Sequence, residues 1–132
     1  MITLNPRSTT TLTKMISMMV DGHVKIDNSD GSFMPVVVEE IFYTNLYKIF
    51  SVAHYFEQNG DLMADPEMCF IFNLQEKVFG TSYYKQDGYL GREQESAFLV
   101  GDEIIVNDIK LQADHTRFAT IWLRNIMQQQ RL

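Results

Sequence analysis

"LYKIFSVAHYFEQNGDLMADPEMCFIFN", residues 46–73, decides the fold. Two runs rich in β-branched and aromatic residues flank Asn59-Gly60. Asn-Gly between strand-like runs is a strong hairpin signal, because both central residues of a tight turn need positive φ and these two accept it. In the first run Leu46, Lys48, Phe50, Val52, His54 and Phe56 share one parity, so 46–58 reads as a strand. Seating Asn59 and Gly60 at the turn sets the register. Gln58 then faces Asp61, Phe56 faces Met63, His54 faces Asp65 and Val52 faces Glu67. Opposed residues point to the same side of a sheet. His54, Asp61, Asp65 and Glu67 are therefore expected on one face, with Glu57 on the other. Asp65-Pro66 is the weak point, since a bulge there would shift everything after it.

The flanking chain extends the sheet. "HVKI" alternates at Val24 and Ile26, and Asn28–Gly31 turns the chain. "MPVVVEEIFYT" reads as a strand with Pro35 at its start, where a missing amide donor does least harm. "VFGTSYYKQD" follows 46–73 and is bounded by Asp87-Gly88. "ESAFLV" and "EIIVN" flank Gly101-Asp102 as a further hairpin. The ends change period. Leu12, Met15, Ile16 and Met19 recur at helical spacing, which predicts a helix over 9–20 capped by Ser8 or Thr9 and stopped at Asp21-Gly22. A second helix is predicted over 109–128, capped by Asn107 or Asp108. Leu111, Phe118, Trp122 and Ile126 form its core stripe. The connections are too short for parallel crossovers. The expected fold is one α+β domain over residues 1–132: an antiparallel meandering β-sheet packed against N-terminal and C-terminal helices in two layers.

Bulk properties narrow the function. The chain has 132 residues, 45% hydrophobic, with formal net charge −6. That charge opposes generic nucleic-acid binding, which relies on basic surface to displace counterions. Tyrosines in "TSYYKQDGY" could stack on bases, but no basic groove accompanies them. The single cysteine, Cys69, excludes a disulfide framework within the chain and reads as a small buried residue. No apolar run approaches the ~18 residues of a membrane span, and the first residues lack the features of a signal peptide. A soluble, cytoplasmic chain is expected, without membrane association; its oligomeric state is open.

Two clusters carry the candidate chemistry. The first is the hairpin set His54, Glu57, Gln58, Asn59, Asp61, Asp65 and Glu67. One histidine and several carboxylates could hold a divalent ion and activate water, or do acid–base work. They could equally form a binding site, or a solvated hairpin tip in which His54 bonds Asp65. No H-x-x-x-H or D-x-D spacing supports a metal, so no metal and no cofactor is expected. The second cluster is Lys110, Arg117, Arg124 and Arg131, which recur every seven residues as a basic stripe away from the apolar face. It is either a solvated face or a docking face for an acidic partner. G-x-S-x-G and phosphate-cradling glycine loops are missing.

The run "HYFEQNGDLMADPEMCF" resembles the signature of a family of uncharacterised small proteins carried by phages, plasmids and integrative conjugative elements. In that family a pattern close to A-H-Y-x-E-Q-N-G-D-L-M-x-D-P-E-M-x-F recurs. The closing "FATIWLRNIMQQQ" is similar to the family's last segment. The likeness covers about 30 of the 132 residues, and "QQQRL" departs from it where a glycine and an aromatic are expected. The family is a domain of unknown function, so the resemblance implies a mobile-element setting and no activity. Two function classes follow: a non-enzymatic protein-interaction module, acting on a host defence or replication complex, or a small metal-dependent hydrolase using the hairpin acids.

Overall fold

The computed structural model describes residues 1–132. Helix α1 (Pro6–Ser17) begins earlier than its apolar spacing predicts. Asn5 caps it, with Oδ1 accepting from the Ser8 N–H at 2.8 Å, and Pro6 takes the first turn, where a missing N–H costs nothing. Ser8, expected as a cap, instead lies inside the helix and is buried. The chain then reverses at Asp21-Gly22, both at positive φ.

Six strands follow as an antiparallel meander in chain order: β1 (His23–Ile26), β2 (Val36–Tyr43), β3 (Tyr47–Gln58), β4 (Asp61–Asn73), β5 (Val78–Gln86) and β6 (Arg92–Glu95). A separate hairpin, β7 (Ala97–Val100) and β8 (Glu103–Val106), precedes α2 (Ile109–Gln129). Asp108 caps α2, its Oδ1 accepting from the Leu111 N–H at 2.9 Å. The two helices and one face of the sheet share a single core of 15 buried residues, centred on Leu12, Met15, Phe50, Phe70, Phe79 and Leu123. Each such side chain contributes about 1.5–3 kcal/mol by leaving water. This is the expected two-layer α+β arrangement.

The central hairpin turns at Asn59-Gly60 with φ of 54° and 84°. Near the turn the register is the expected one, with Gln58 opposite Asp61 and Phe56 opposite Met63. Beyond it, Tyr55 faces Ala64 but Ala53 faces Glu67. His54 is thus opposed by two residues, Asp65 and Pro66, in a bulge. A one-residue slip moves every later side chain to the other face. Val52 therefore faces Met68 rather than Glu67.

Helix α2 is rotated from its predicted phase. Its buried face is Gln112, His115, Ala119, Trp122, Leu123 and Ile126, and Gln130 just beyond the helix is also fully buried. Phe118 is 38% exposed and Leu111 only half-buried. At ~100° per residue the buried face is centred about 60° from the predicted stripe. The cause is that polar residues occupy the core face, with the amides of Gln112 and Gln130 hydrogen-bonded there as their burial requires. Gln112, fully buried, accepts from the Ile2 N–H (3.0 Å) and donates to the Thr81 carbonyl (2.9 Å), tying the N-terminal segment and β5 to α2.

Candidate functional site

At one end of the helix–sheet seam three segments leave a groove of about 710 Å³. Its walls are the β1–β2 loop from Asp27 to Pro35, the β3–β4 bulge at His54 and Asp65-Pro66, and Trp122, Asn125 and Gln129 of α2. The loop is shaped by its own chemistry. Ser29 is 2% exposed, and its Oγ both accepts from the Phe33 N–H and donates to the Phe33 carbonyl, each at 3.0 Å. Asp30 and Gly31 supply the positive φ that closes the turn. Gln130 then clamps the loop to the end of α2. Its Oε1 accepts from the Asn28 N–H at 2.7 Å, its Nε2 donates to the Met34 carbonyl at 3.1 Å, and its own carbonyl accepts from Asn28 Nδ2 at 3.1 Å.

His54 sits at the base of the groove, 7% exposed. Its Nδ1 lies 2.9 Å from the Pro35 carbonyl. A carbonyl can only accept, so Nδ1 carries the proton and Nε2 is the nitrogen without a protein partner. The ring meets Trp122 edge-on at 5.5 Å between centroids. From there Trp122, Phe118, Tyr84 and His115 continue as a row of aromatic contacts along α2. Asp65 shares the groove with His54 but does not bond it as the simple register suggested; its Oδ1 accepts from Gln86 Nε2 at 2.7 Å.

The rest of the hairpin set is dispersed. Glu67 is on the opposite sheet face, where its Oε2 accepts from Ser51 Oγ at 2.6 Å. This corrects the expectation that it shares a face with His54. Glu57, Gln58, Asn59 and Asp61 are exposed at the hairpin tip. No three His, Cys, Asp or Glu side chains converge as a metal-binding group. Burial first, and then the Glu67 charge, push the Cys69 thiol and the Tyr55 phenol each up to about 12. Tyr83 is also raised, by burial and by its hydrogen bond to Glu93. Cys69 is therefore a thiol at neutral pH and a poor nucleophile.

The basic residues divide as well. Lys110, Arg117 and Arg124 are exposed along α2, with Arg117 paired to Asp114. Arg131 lies past the helix end, at positive φ, 3.5 Å from Asp30. His115, in contrast, is 5% exposed, with Nε2 3.0 Å from Gln94 Oε1 and Nδ1 buried without a partner. Burial lowers its pKa against the opposing charges of Asp114 and Asp108.

Sequence reasoning picked out His54 and Asp65 but missed Asp27, Phe33, Asn125, Gln129 and the clamp Gln130. Gln130 did carry a signal, since it stands four residues after Ile126 and continues the buried row. Fold and groove together define a two-layer α+β domain with a polar recess at the end of its helix–sheet seam. The chain belongs to the family described as a domain of unknown function (DUF6908), whose model matches residues 7–132. No curated protein and no solved structure matches it. No helix is long and apolar enough to cross a membrane.

Proposed function

We propose that this chain is a small accessory protein of a mobile genetic element, acting as a non-enzymatic protein-interaction module whose recognition surface is the groove under Trp122. The observation that carries this reading is the convergence of three distant segments on one recess. Binding sites are concave, largely preformed and lined by aromatic walls with a few convergent polar groups. Gln130 preforms this one by bonding both ends of its loop to α2. Against the hydrolase alternative stands the bulge, which separates Glu67 from His54 and Asp65. The resemblance to element-borne proteins supports a setting in which the partner belongs to a host defence or replication complex.

The test is loss of a partner on filling the groove. Ser32 is exposed on the groove-lining loop, so Ser32→Trp occupies the recess without disturbing the core. The tagged wild type is expected to retain a discrete protein from its native host that Ser32→Trp releases and Arg124→Glu keeps. Retention by Ser32→Trp, with release by Arg124→Glu, would move recognition to the basic face of α2.

A further inference from the structure

The lining of the groove states which chemistry it would hold. It contains no lysine or arginine and two aspartates, Asp27 and Asp65. Asp27 is exposed and makes no ion pair, and Asp65 keeps Oδ2 after bonding Gln86 through Oδ1. His54 is more than nine-tenths buried, its ring lines the groove, and its Nε2 has no partner in the protein. In the neutral ring that nitrogen accepts a hydrogen bond. Trp122 from α2 and Phe33 from the β1–β2 loop add aromatic surface. Arg131, the cation on the neighbouring segment, does not line the groove and lies 3.5 Å from the Asp30 carboxylate. Acceptors and aromatic faces therefore meet with no cation of the chain's own to fill them.

A guanidinium is the reciprocal group. It is flat, always charged, carries five donors and no acceptor, pairs bidentately with carboxylates and stacks on aromatic rings. An ammonium offers three donors and no plane. The formal net charge of −6 attracts a basic segment from a distance as well. Granted the interaction-module reading on which this rests, we infer that the groove receives an arginine side chain from a basic segment of the protein partner, with Asp65 and Asp27 pairing the guanidinium and His54 Nε2 accepting from it.

Trp122 is the only tryptophan and lines the groove, so its emission reports occupancy directly. The probe is a heptapeptide free of tyrosine and tryptophan that carries two arginines, titrated into the full chain, with lysine and glutamate counterparts as further arms. A saturable change in Trp122 emission is expected with the arginine peptide, several-fold weaker with lysine and absent with glutamate. The midpoint should rise roughly tenfold in Asp65→Asn, the equivalent of one lost charge-assisted contact. Ser32→Lys, on an exposed loop position that leaves the β3–β4 bulge untouched, should weaken binding comparably and serves if Asp65→Asn fails to fold. Equal binding of the lysine or glutamate peptide overturns the inference, as does an arginine peptide that leaves Trp122 emission unchanged. If that happens while host-partner capture still depends on Ser32, the arginine assignment falls and the interaction reading stands. If capture is also indifferent to the groove, both fall. Concentration-dependent self-association that is lost in Ser32→Lys would assign the groove to a second copy of the chain and overturn the inference.

Discussion

Truncating Gln130 to alanine probes how the groove is held. The side chain is fully buried and makes two hydrogen bonds to the backbone of the β1–β2 loop, at 2.7 and 3.1 Å. Each neutral bond contributes about 1 kcal/mol net. The lost methylene adds about 0.8 kcal/mol of burial. Asn28 is exposed and Met34 half-buried, so water can reach the orphaned groups and hold the total at about 2–3 kcal/mol. For a chain of this length each kcal/mol moves Tm by roughly 3–5 °C, so Gln130→Ala should melt roughly 6–15 °C below wild type. Gln128, two residues earlier and exposed, provides the control, and Gln128→Ala should stay within about 0.5 kcal/mol. Gln130→Met keeps most of the volume and removes the bonds, which separates packing from hydrogen bonding. The assay is thermal and urea unfolding followed by far-UV circular dichroism. Equal midpoints for Gln130→Ala and Gln128→Ala would refute the clamp.

Three further outcomes are expected. Trp122→Ala should cost roughly 3–5 kcal/mol, measured as a shift in urea midpoint, because it empties a buried site between α2 and β3; an unchanged midpoint would mean that α2 is not docked through this residue. Native Cys69 should react with iodoacetamide at pH 8 at least about a hundredfold more slowly than in the urea-unfolded chain, since burial raises its pKa to about 12; comparable rates would contradict its place under the outer sheet face. His115 has a lowered pKa in the folded state, so between that value and the ordinary ~6.5 the unfolded chain binds more protons and stability rises with pH. Tm should therefore fall from pH 7.5 to pH 5.5 by more in wild type than in His115→Gln, and equal slopes would exclude His115 as the titrating group.

The architecture was readable because the apolar period changes from helical to alternating and back, and because Asn59-Gly60 fixes the central turn. What escaped depended on contacts between distant segments. Asn5-Pro6 outcompeted Ser8 as a helix start, a local choice that the apolar spacing of α1 does not encode. Gln112, His115 and Gln130 look like surface residues, yet their partners at Ile2, Thr81, Gln94, Asn28 and Met34 admit them to the core face. That admission rotates α2 by about a sixth of a turn. Pro66 marked where the hairpin register could fail, but not that His54 would face two residues there. One inserted residue was enough to send Glu67 to the other face and dissolve the apparent carboxylate cluster. His54 and Asp65 were visible as candidates. The loop from Asp27 to Pro35 and the end of α2 are far from them in sequence, so the groove existed only once the chain was folded.

The central claim is that recognition takes place in the groove under Trp122 and not at the hairpin tip where the polar residues are densest in sequence. A photo-crosslinking amino acid placed at Gln129, on the groove wall, and separately at Asp61, on the tip, tests it in the native host. A discrete crosslinked partner from position 129, with none from position 61, is the predicted result. The same partner captured from position 61 and not from position 129 would contradict the account.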